Sequence, residues 1–273
     1  MTDHPVVFEH VGKEFTKSTV RGGSGSTFAA VHDLSFTVEP GERVAIVGET
    51  GSGKSTALSM LLGLQKPSAG TVRVLGKDPF AEFATLAGRL GIIFQSDRLL
   101  PWRTALENAS FGLQVLGKSK ADRHRAAGEW LDRLGLDGFH KAYPHELSGG
   151  MRQRVAIART MAIQPEVLVA DEAFSALDEL TAASVRADLL NLLAETRTTT
   201  VFVTHSVSES CEIADRVLVF ARPGRIVDEV AATKLRDAGS TAEQLQELVR
   251  AGLRSTRAPA AAPGELAAQR GTT

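Results

Sequence analysis

The chain has 273 residues, 43% of them hydrophobic, and its 31 basic and 32 acidic side chains leave a formal net charge of −1. This length can bury one large core, and the near-neutral balance excludes a global positive field that would gather nucleic acid. One cysteine, Cys211, cannot form an internal disulfide, which fits a reducing compartment. We expect no signal peptide and no spanning segment, because no apolar run approaches the roughly 18–20 residues that a membrane helix needs.

Apolar runs and alternating patterns predict strands, and apolar spacing of about 3.6 residues predicts helices. The predicted strands are 6–11, 28–48 with a turn at 40–42, 71–76, 89–95, 166–171, 198–205 and, as the final strand, 217–221. The predicted helices are 54–64, 105–117, 121–135, 148–163, 180–196, 207–216 and 235–253. This alternation predicts a parallel α/β sheet, with the helix-rich middle of the chain as an inserted subdomain.

A glycine-rich segment follows the apolar run 43–48 and opens a predicted helix. It fits the pattern G-x-x-x-x-G-K-[S/T], whose backbone N–H groups turn onto phosphate oxygens at a helix N-terminus. We expect Lys54 to reach the β- and γ-phosphates and Ser55 to ligate Mg²⁺. A glycine-rich turn with a chance lysine is the simpler alternative, but the strand before it and the helix after it argue against that. This segment, called the phosphate loop below, consists of Gly48, Glu49, Thr50, Gly51, Ser52, Gly53, Lys54, Ser55 and Thr56.

Two adjacent carboxylates, Asp171 and Glu172, end the apolar strand 166–171. This places them at the carboxyl edge of the sheet, where ligands bind in such folds. We expect Asp171 to hold the Mg²⁺ shell and Glu172 to take a proton from an attacking water. The alternative is a strand-capping pair on a solvated edge, which the phosphate loop makes less attractive.

A second glycine pair lies in LSGGMRQR (147–154), directly before a predicted helix. Bare amides at a helix N-terminus form an anion site. Three interpretations are open from the residues alone: the fold brings both anion sites to one nucleotide, the second site serves another copy of the chain, or Ser148 is an ordinary helix cap.

The order of six motifs resembles that of ATP-binding cassette (ABC) ATPases over about residues 5–230. The motifs are the phosphate loop, Gln95, LSGGMRQR, VLVADE (167–172), SALD (175–178) and His205. The resemblance implies an α/β fold: a P-loop NTPase (RecA-like) core with an antiparallel β subdomain and an inserted helical subdomain. In that family two cassettes sandwich two ATP molecules head to tail, so Ser148, Gly149 and Gly150 would close on the γ-phosphate held by a second copy.

The resemblance also assigns roles to three single residues. Gln95 resembles the residue that senses Mg²⁺ and couples to a membrane partner, Asp178 resembles the residue at the dimer seam, and His205 resembles the histidine that contacts the γ-phosphate. Taken alone, Gln95 could simply end a strand and His205 could be a hydrogen-bonded histidine at a strand end.

Phe15 resembles the aromatic residue that stacks on adenine. Phe8 and Phe28 are close in sequence, and a core needs aromatic residues. The assignment of Phe15 therefore depends on its position before the polar loop 18–27, which we expect to be a flexible hairpin tip.

Four positions depart from the common pattern of the family: Ala173, Met151, Ser206 and Ala182. None of them removes a catalytic group. Met151 could weaken a polar contact across the sandwich, and Ala173 could loosen the turn that follows Glu172.

The stretch 94–117 is similar to importer ATPases of the nitrate, taurine, aliphatic sulfonate and pyrimidine-precursor group. There, the LLPW segment and the helix after it face a permease, and here Leu99, Leu100 and Trp102 would form that surface; internal packing is the alternative.

The resemblance implies an ATPase at the cytoplasmic face of the plasma membrane, bound to a second copy and a permease, with a substrate-binding protein delivering the solute. The alternatives are an ABC ATPase acting on nucleic acid or ribosomes, for which the sequence offers no motif, and the ATPase of an exporter.

The expected division of the chain is an ATP-binding domain over 5–232, with the helical subdomain at about 97–164, and a helical extension over 233–254. The Ala- and Pro-rich tail, 255–273, has nothing to pack and is expected to be disordered.

Overall fold

The computed structural model describes residues 4–17 and 26–255, and strands alternate with helices through most of these ranges. The strands are β1 (Val6–Lys17), β2 (Ser26–Val38), β3 (Arg43–Gly48), β4 (Ala69–Val74), β5 (Leu90–Ile93), β6 (Val167–Asp171), β7 (Thr199–Thr204), β8 (Arg216–Ala221) and β9 (Arg225–Val230). The helices are α1 (Lys54–Leu61), α2 (Ala105–Ala109), α3 (Phe111–Val115), α4 (Lys120–Arg133), α5 (Gly149–Met161), α6 (Glu179–Thr196), α7 (Val207–Ile213), α8 (Ala232–Asp237) and α9 (Ala242–Ser255).

Six strands form a mixed sheet in the order β5-β6-β7-β3-β8-β9, in which only β9 runs antiparallel to its neighbour. The carboxyl ends of parallel strands meet at one edge of a sheet. Gly48 ends β3, Asp171 ends β6 and Thr204 ends β7, and Gln95 lies two residues beyond β5. The sheet therefore brings four predicted site segments, 48–56, 95, 171–172 and 205, to one edge.

The antiparallel sheet, in the order β2-β1-β4, packs against one face of the mixed sheet. Strand β3 shows how the two faces differ. Val44 and Ile46 belong to the core shared with the antiparallel sheet, whereas Ala45 and Val47 belong to the core shared with the helices on the other face. Because side chains alternate along a strand, one buried strand supports two hydrophobic cores.

Four helices, α2 to α5, lie between β5 and β6, where the sequence predicts an inserted helical subdomain. The insertion starts with a capping box, in which Thr104 accepts from the Glu107 N–H and the Glu107 carboxylate accepts from the Thr104 N–H. Leu131 and Val155, which are fully buried, join the helical insertion to the large core.

The prediction that 217–221 is the final strand is wrong, because β9 follows it. Arg225, Asp228 and Glu229 interrupt the apolar pattern of β9, and an edge strand needs only one buried face. The predicted helix 235–253 is also wrong as a single element. Gly239 adopts a φ of +86° between α8 and α9, a conformation that glycine accommodates and that ends the first helix.

The last helices pack against the core of the mixed sheet. Leu245 and Val249 of α9 are buried in the same cluster as the strands of the mixed sheet, and Ser255 closes α9. Of the predicted hairpin tip, 18–27, residues 18–25 lie outside the described residues, and so does the predicted tail, 255–273, apart from Ser255, which belongs to α9. Within the ranges that the structure describes, no helix is both long enough and apolar enough to cross a membrane.

Candidate active site

The segment between β3 and α1 is shaped by glycines that admit no side chain. Gly53 has a φ of +91°, and a Cβ atom there would lie 2.6 Å from the Ala30 carbonyl oxygen and 2.7 Å from the Gly224 Cα atom. The Lys54 side chain is buried and donates to the carbonyl oxygens of Gly48, at 2.6 Å, and Glu49, at 3.0 Å. The loop thus wraps around the lysine ammonium and leaves the N-terminus of α1 open.

A cavity of 690 Å³ adjoins this loop, a size within the usual range of small-molecule sites. Its floor is polar and its far wall is aromatic. The rings of Phe15 and Phe28 stack with their centroids 5.7 Å apart and their planes 27° apart. The described lining consists of Phe15, Phe28, Ala29, Ala30, Thr50, Gly51, Gly53, Lys54, Ser55, Thr56, Glu172, Val203, Arg222 and Pro223.

The Glu172 carboxylate is held from two sides. The Gln95 side-chain N–H donates to its Oε2 at 3.1 Å, and His205 Nδ1 lies 3.3 Å from its Oε1. The backbone of Glu172 has a φ of +47°, and its N–H donates to the Val203 carbonyl oxygen at 2.8 Å. A positive φ is costly for a residue with a Cβ atom, and such strain concentrates at functional sites. It turns Glu172 away from the direction of Asp171 and into the cavity.

Burial and like charge shift the ionisation of the neighbouring groups. Burial raises the pKa of the Asp171 carboxyl above its ordinary value, and the nearby Glu172 carboxylate raises it further, against the opposing effects of Arg98 and Lys54. Burial lowers the pKa of the Lys54 ammonium, although Glu172 and Asp171 partly offset this effect. The site therefore combines a buried cation with two carboxylates at the edge of a cavity, and Asp171 would gain from an added cation.

The second glycine pair opens α5. Ser148 is the N-cap residue and accepts from the Met151 N–H at 3.3 Å. A Cβ atom on Gly150 would lie 2.5 Å from the Thr181 methyl carbon, so glycine lets α5 start directly against α6. The same position on Gly149 meets the Leu177 side chain at an ordinary 3.5 Å.

Asp178 caps α6 beside this helix start and accepts from the Thr181 N–H at 3.1 Å. Hydrogen bonds from the Thr181 side chain and then its N–H hold the pKa of the Asp178 carboxyl below its ordinary value. Buried Gln153 of α5 donates to the Ala173 carbonyl oxygen at 2.6 Å and so ties α5 to the turn after Glu172. The helix start is therefore mechanically joined to the site at Glu172.

The structure brings some predicted residues together and keeps others apart. Gln95 and His205 each contact the Glu172 carboxylate, and Phe15 shares the cavity of the phosphate loop. Among the described residues that line this cavity, none belongs to the start of α5 or to the N-cap of α6. The molecule thus has one assembled site and one separate glycine-rich helix start.

Two residues in the cavity wall were missed by the sequence analysis as site residues. Phe28 was treated only as a competitor of Phe15, yet the two rings stack on each other. Arg222 lies in the β8–β9 turn and reaches the phosphate loop, where its guanidinium donates to the Thr50 carbonyl oxygen. Placing Arg222 required knowing that β9 folds back on β8.

Residues 31–175 match the family model described as "ABC transporter". The chain is 40% identical to the nitrate import ATP-binding protein NrtD of Synechocystis sp. over 76% of the chain and 77% of that protein. It is 35% identical to the aliphatic sulfonates import ATP-binding protein SsuB of Bacillus cereus over 89% of the chain and 92% of that protein. It is also 39% identical to the Fe(3+) ions import ATP-binding protein FbpC of Agrobacterium fabrum over 85% of the chain and 63% of that protein.

The structure resembles a solved dimeric ATP-binding cassette, MJ0796, in a post-hydrolysis state bound to ADP and phosphate. The TM-score is 0.70 with 30% identity, over 83% of the chain and 98% of that cassette. This likeness confirms the predicted α/β fold with its antiparallel β subdomain and inserted helices.

Proposed function

The chain belongs to the family of ABC transporter ATP-binding domains, and on that premise we propose that it is the ATP-hydrolysing subunit of a bacterial importer. The observation that carries the ATPase chemistry is the contact of Gln95 and His205 with opposite oxygens of the Glu172 carboxylate, at 3.1 and 3.3 Å. This cluster lies at the same sheet edge as the phosphate loop, so a base and a phosphate cradle face one cavity.

Each residue of the cluster has a chemical task in hydrolysis. Backbone N–H groups of the loop and the Lys54 ammonium would bind the β- and γ-phosphates of ATP. Glu172, whose side chain is 26% exposed, would accept a proton from the attacking water. Gln95 and His205 would hold that carboxylate in place, and His205 would also contact the γ-phosphate. Phe15 would stack on adenine at the aromatic wall.

The donor set at the sheet edge fits Mg²⁺. Ser55, Gln95 and Asp171 offer hydroxyl, amide and carboxylate oxygens, which are the ligands that this hard cation prefers. The raised pKa of the Asp171 carboxyl, caused by burial and by Glu172, also favours an added cation there. Phosphate oxygens and water would supply the remaining ligands of the cation. When bound, Mg²⁺ would neutralise phosphate charge.

We propose that two copies close around two nucleotides. The bare amides of Ser148, Gly149 and Gly150 at the start of α5 form a second anion site that the chain's own cavity does not use. In a head-to-tail dimer this site would meet the γ-phosphate held by the partner, with Asp178 at the seam. The solved relative that the chain resembles is described as dimeric, which supports this arrangement.

An apolar cavity next to Gln95 supports a permease as the second partner. It measures 220 Å³ and its walls are almost entirely apolar, as a docking site for a partner helix requires. Phe83 and Leu64 on its rim are 56% and 64% exposed. Phe94, the residue directly before Gln95, also lines this cavity. A helix docked there would therefore contact the sequence neighbour of Gln95. The lining is Leu62, Leu64, Phe83, Leu86, Ala87, Leu90, Ile92 and Phe94.

The LLPW segment presents a second apolar feature. Buried Asn108 accepts from the Leu100 N–H at 2.7 Å and donates to the Leu100 and Arg103 carbonyl oxygens, so this segment has one defined shape. Leu99 packs on the core, whereas Trp102 is 71% exposed. Internal packing therefore accounts for Leu99 and leaves Trp102 available to the permease.

The solute is proposed only as a class: a small solute such as nitrate, taurine, a sulfonate or a pyrimidine precursor, delivered by a substrate-binding protein. The ATPase subunit does not touch the solute, and the named relatives include an Fe(3+) importer. Those relatives are import proteins, so they favour neither the nucleic-acid alternative nor the exporter. The proposed location is the cytoplasmic face of the plasma membrane, through the permease.

The Glu172→Gln variant tests the ATPase assignment. Glutamine keeps the size of the side chain and removes the base, so we expect ATP hydrolysis to fall at least about 100-fold while ATP still binds and holds the chain as a dimer. Dimer formation with ATP can be followed by size-exclusion chromatography, with Glu129→Gln on exposed α4 as the matched control. Hydrolysis at the parent rate would contradict the role of Glu172.

Affinity purification from gently solubilised membranes of the native cell tests the importer assignment. We expect an integral membrane protein in near-equal amount, identified by mass spectrometry. Recovery with ribosomes or DNA from the soluble fraction would overturn the importer proposal and leave the ATPase chemistry intact.

A further inference from the structure

The β8–β9 turn, residues 222–224, is built into the wall of the nucleotide cavity. Gly224 donates from its N–H to the Ala30 carbonyl oxygen at 2.9 Å and accepts from the His32 N–H at 3.1 Å, which fixes the turn to β2. Its Cα atom also packs closely against Gly53 of the phosphate loop. The turn therefore has a fixed position between the antiparallel sheet and the loop.

Arg222 extends from this turn onto the phosphate loop. Its guanidinium donates to the Thr50 carbonyl oxygen and lies over Gly51, where a Cβ atom would come within 2.5 Å of Nη2 and 3.0 Å of Cζ. A guanidinium carries five N–H donors. Within the described residues only the bond to Thr50 is made, and the side chain is exposed on the cavity side. The group thus has donors to spare at the phosphate end of the cavity.

The charged residues that line the cavity indicate which kind of group these donors would bind. Three of its described lining residues carry charge: Lys54 and Arg222 are positive and Glu172 is negative. Lys54 is buried beneath the loop, so Arg222 is the exposed cation of this lining. Guanidinium groups bind phosphate through paired, charge-assisted hydrogen bonds.

We propose that Arg222 is a nucleotide-binding residue whose guanidinium contacts a phosphate group of the nucleotide bound in this cavity. The proposal rests on the ATPase function proposed above. On this proposal the β8–β9 turn is a third element of the phosphate site, beside the loop and the carboxylate pair. Arg222 then has a binding role in addition to its structural hydrogen bond to the Thr50 carbonyl oxygen.

Calorimetric titration with MgADP, which the protein cannot hydrolyse, tests the proposal in the full chain. We expect Arg222→Ala to weaken MgADP binding about 5- to 20-fold, because a charge-assisted contact to phosphate is lost. The matched control is Arg225→Ala. Arg225 lies three residues further on in β9, is exposed, and makes no ion pair or side-chain hydrogen bond among the described residues, so this variant should bind as the parent does.

Three further comparisons separate phosphate binding from a structural tie. Arg222→Lys should recover part of the affinity, since the positive charge is kept while the paired hydrogen bonds are lost. The difference between Arg222→Ala and Arg225→Ala should shrink when salt is raised, because screening weakens charge interactions at an exposed group. The two alanine variants should unfold at the same temperature without nucleotide.

The outcomes are distinct. Equal MgADP affinity in Arg222→Ala and Arg225→Ala would overturn the proposal. So would a loss that is insensitive to salt and accompanied by a lower unfolding temperature, which would make Arg222 a structural tie. If the parent itself does not bind MgADP, the proposed ATPase function fails first.

Discussion

The phosphate loop and the start of α5 are both glycine-rich helix N-termini, but their surroundings differ. The loop faces a cavity with a buried lysine and, at the same sheet edge, two carboxylates. The start of α5 faces no part of that cavity, and its nearest partners are Leu177 and Thr181 at the N-terminus of α6. The first region adjoins a ligand-sized cavity, whereas the second has bare helix N-terminal amides that lie outside the lining of that cavity.

This difference shows that glycine serves two different purposes at the two helix starts. In the first region glycines make room for a ligand and for inward-facing N–H groups. In the second region Gly150 makes room for a neighbouring helix, whereas Gly149 is half-buried and Ser148 is exposed. Ser148 and Gly149 are therefore the part of this helix start that a partner subunit could use.

We expect the largest effect, a loss of ATP hydrolysis, from a substitution in the phosphate loop. Lys54→Ala removes the cation buried beneath the loop, and we expect ATP hydrolysis to fall at least about 1,000-fold, since electrostatic stabilisation is the main contribution to phosphoryl transfer. Steady-state phosphate release measures this effect. Lys120→Ala, on the exposed first turn of α4, is the control and should keep the parent rate. Activity retained in Lys54→Ala would remove the functional distinction between the two regions.

A medium effect is expected from the packing of the second region. Gly150→Ala places a Cβ atom 2.5 Å from the Thr181 methyl carbon, so we expect the free energy of unfolding to fall by about 1–2 kcal/mol. Gly149→Ala meets only an ordinary contact, and its effect should stay within about 0.5 kcal/mol. Chemical denaturation of both variants gives the two values. Equal stability would show that the two glycines do not differ as described.

We expect the smallest effect from a substitution of Glu209 in α7. Burial raises the pKa of the Glu209 carboxyl above its ordinary value, although its hydrogen bond with Thr204 and the charges of Arg186 and His205 oppose this. A raised carboxyl pKa means that ionisation costs folding stability. That cost is absent below the unfolded pKa of about 4.3 and grows as pH rises through the folded pKa.

We therefore expect Glu209→Gln to raise the unfolding temperature slightly at pH 7.5 (roughly the upper end of the range where stability is usually maximal) and to lose this gain in acid. Thermal unfolding at several pH values measures the effect. Glu247 lies on the exposed face of α9, and its carboxyl pKa is lowered chiefly by its hydrogen bond from Arg254. Glu247→Gln should therefore show no such gain. A gain at every pH would point to packing instead of ionisation.

The sequence predicted the strand, the glycine-rich loop and the helix of the first region, because their signals are local. A buried run, glycines at fixed spacing and a lysine at the start of a helix determine the loop without knowledge of distant contacts. The position of Asp171 at the end of β6 followed in the same way from the rule for parallel strands.

The remainder of the cavity wall could not be predicted, because it depends on non-local pairing. Arg222 reaches the loop only because β9 returns along β8, and the charged residues of β9 hid that strand in the sequence. Likewise, the stacking of Phe28 on Phe15 follows from the register of β1 and β2. The separation of the α5 start from the cavity is also a property of the fold, and the residues alone had left three alternatives open.

The most direct test of the central claim is whether two inactive variants restore each other. Lys54→Ala disables the phosphate loop, and Gly149→Asp places a negative charge at the first amides of α5 while its Cβ atom fits without a clash. ATP hydrolysis is measured for each variant alone and for their equimolar mixture, after subunit exchange has been verified with distinct tags. If the α5 start serves the partner's nucleotide, mixed dimers contain one site with both elements intact, and the mixture regains activity that neither variant has. If both elements serve the nucleotide of their own chain, every site in the mixture lacks one element and the mixture stays inactive, which would contradict the account.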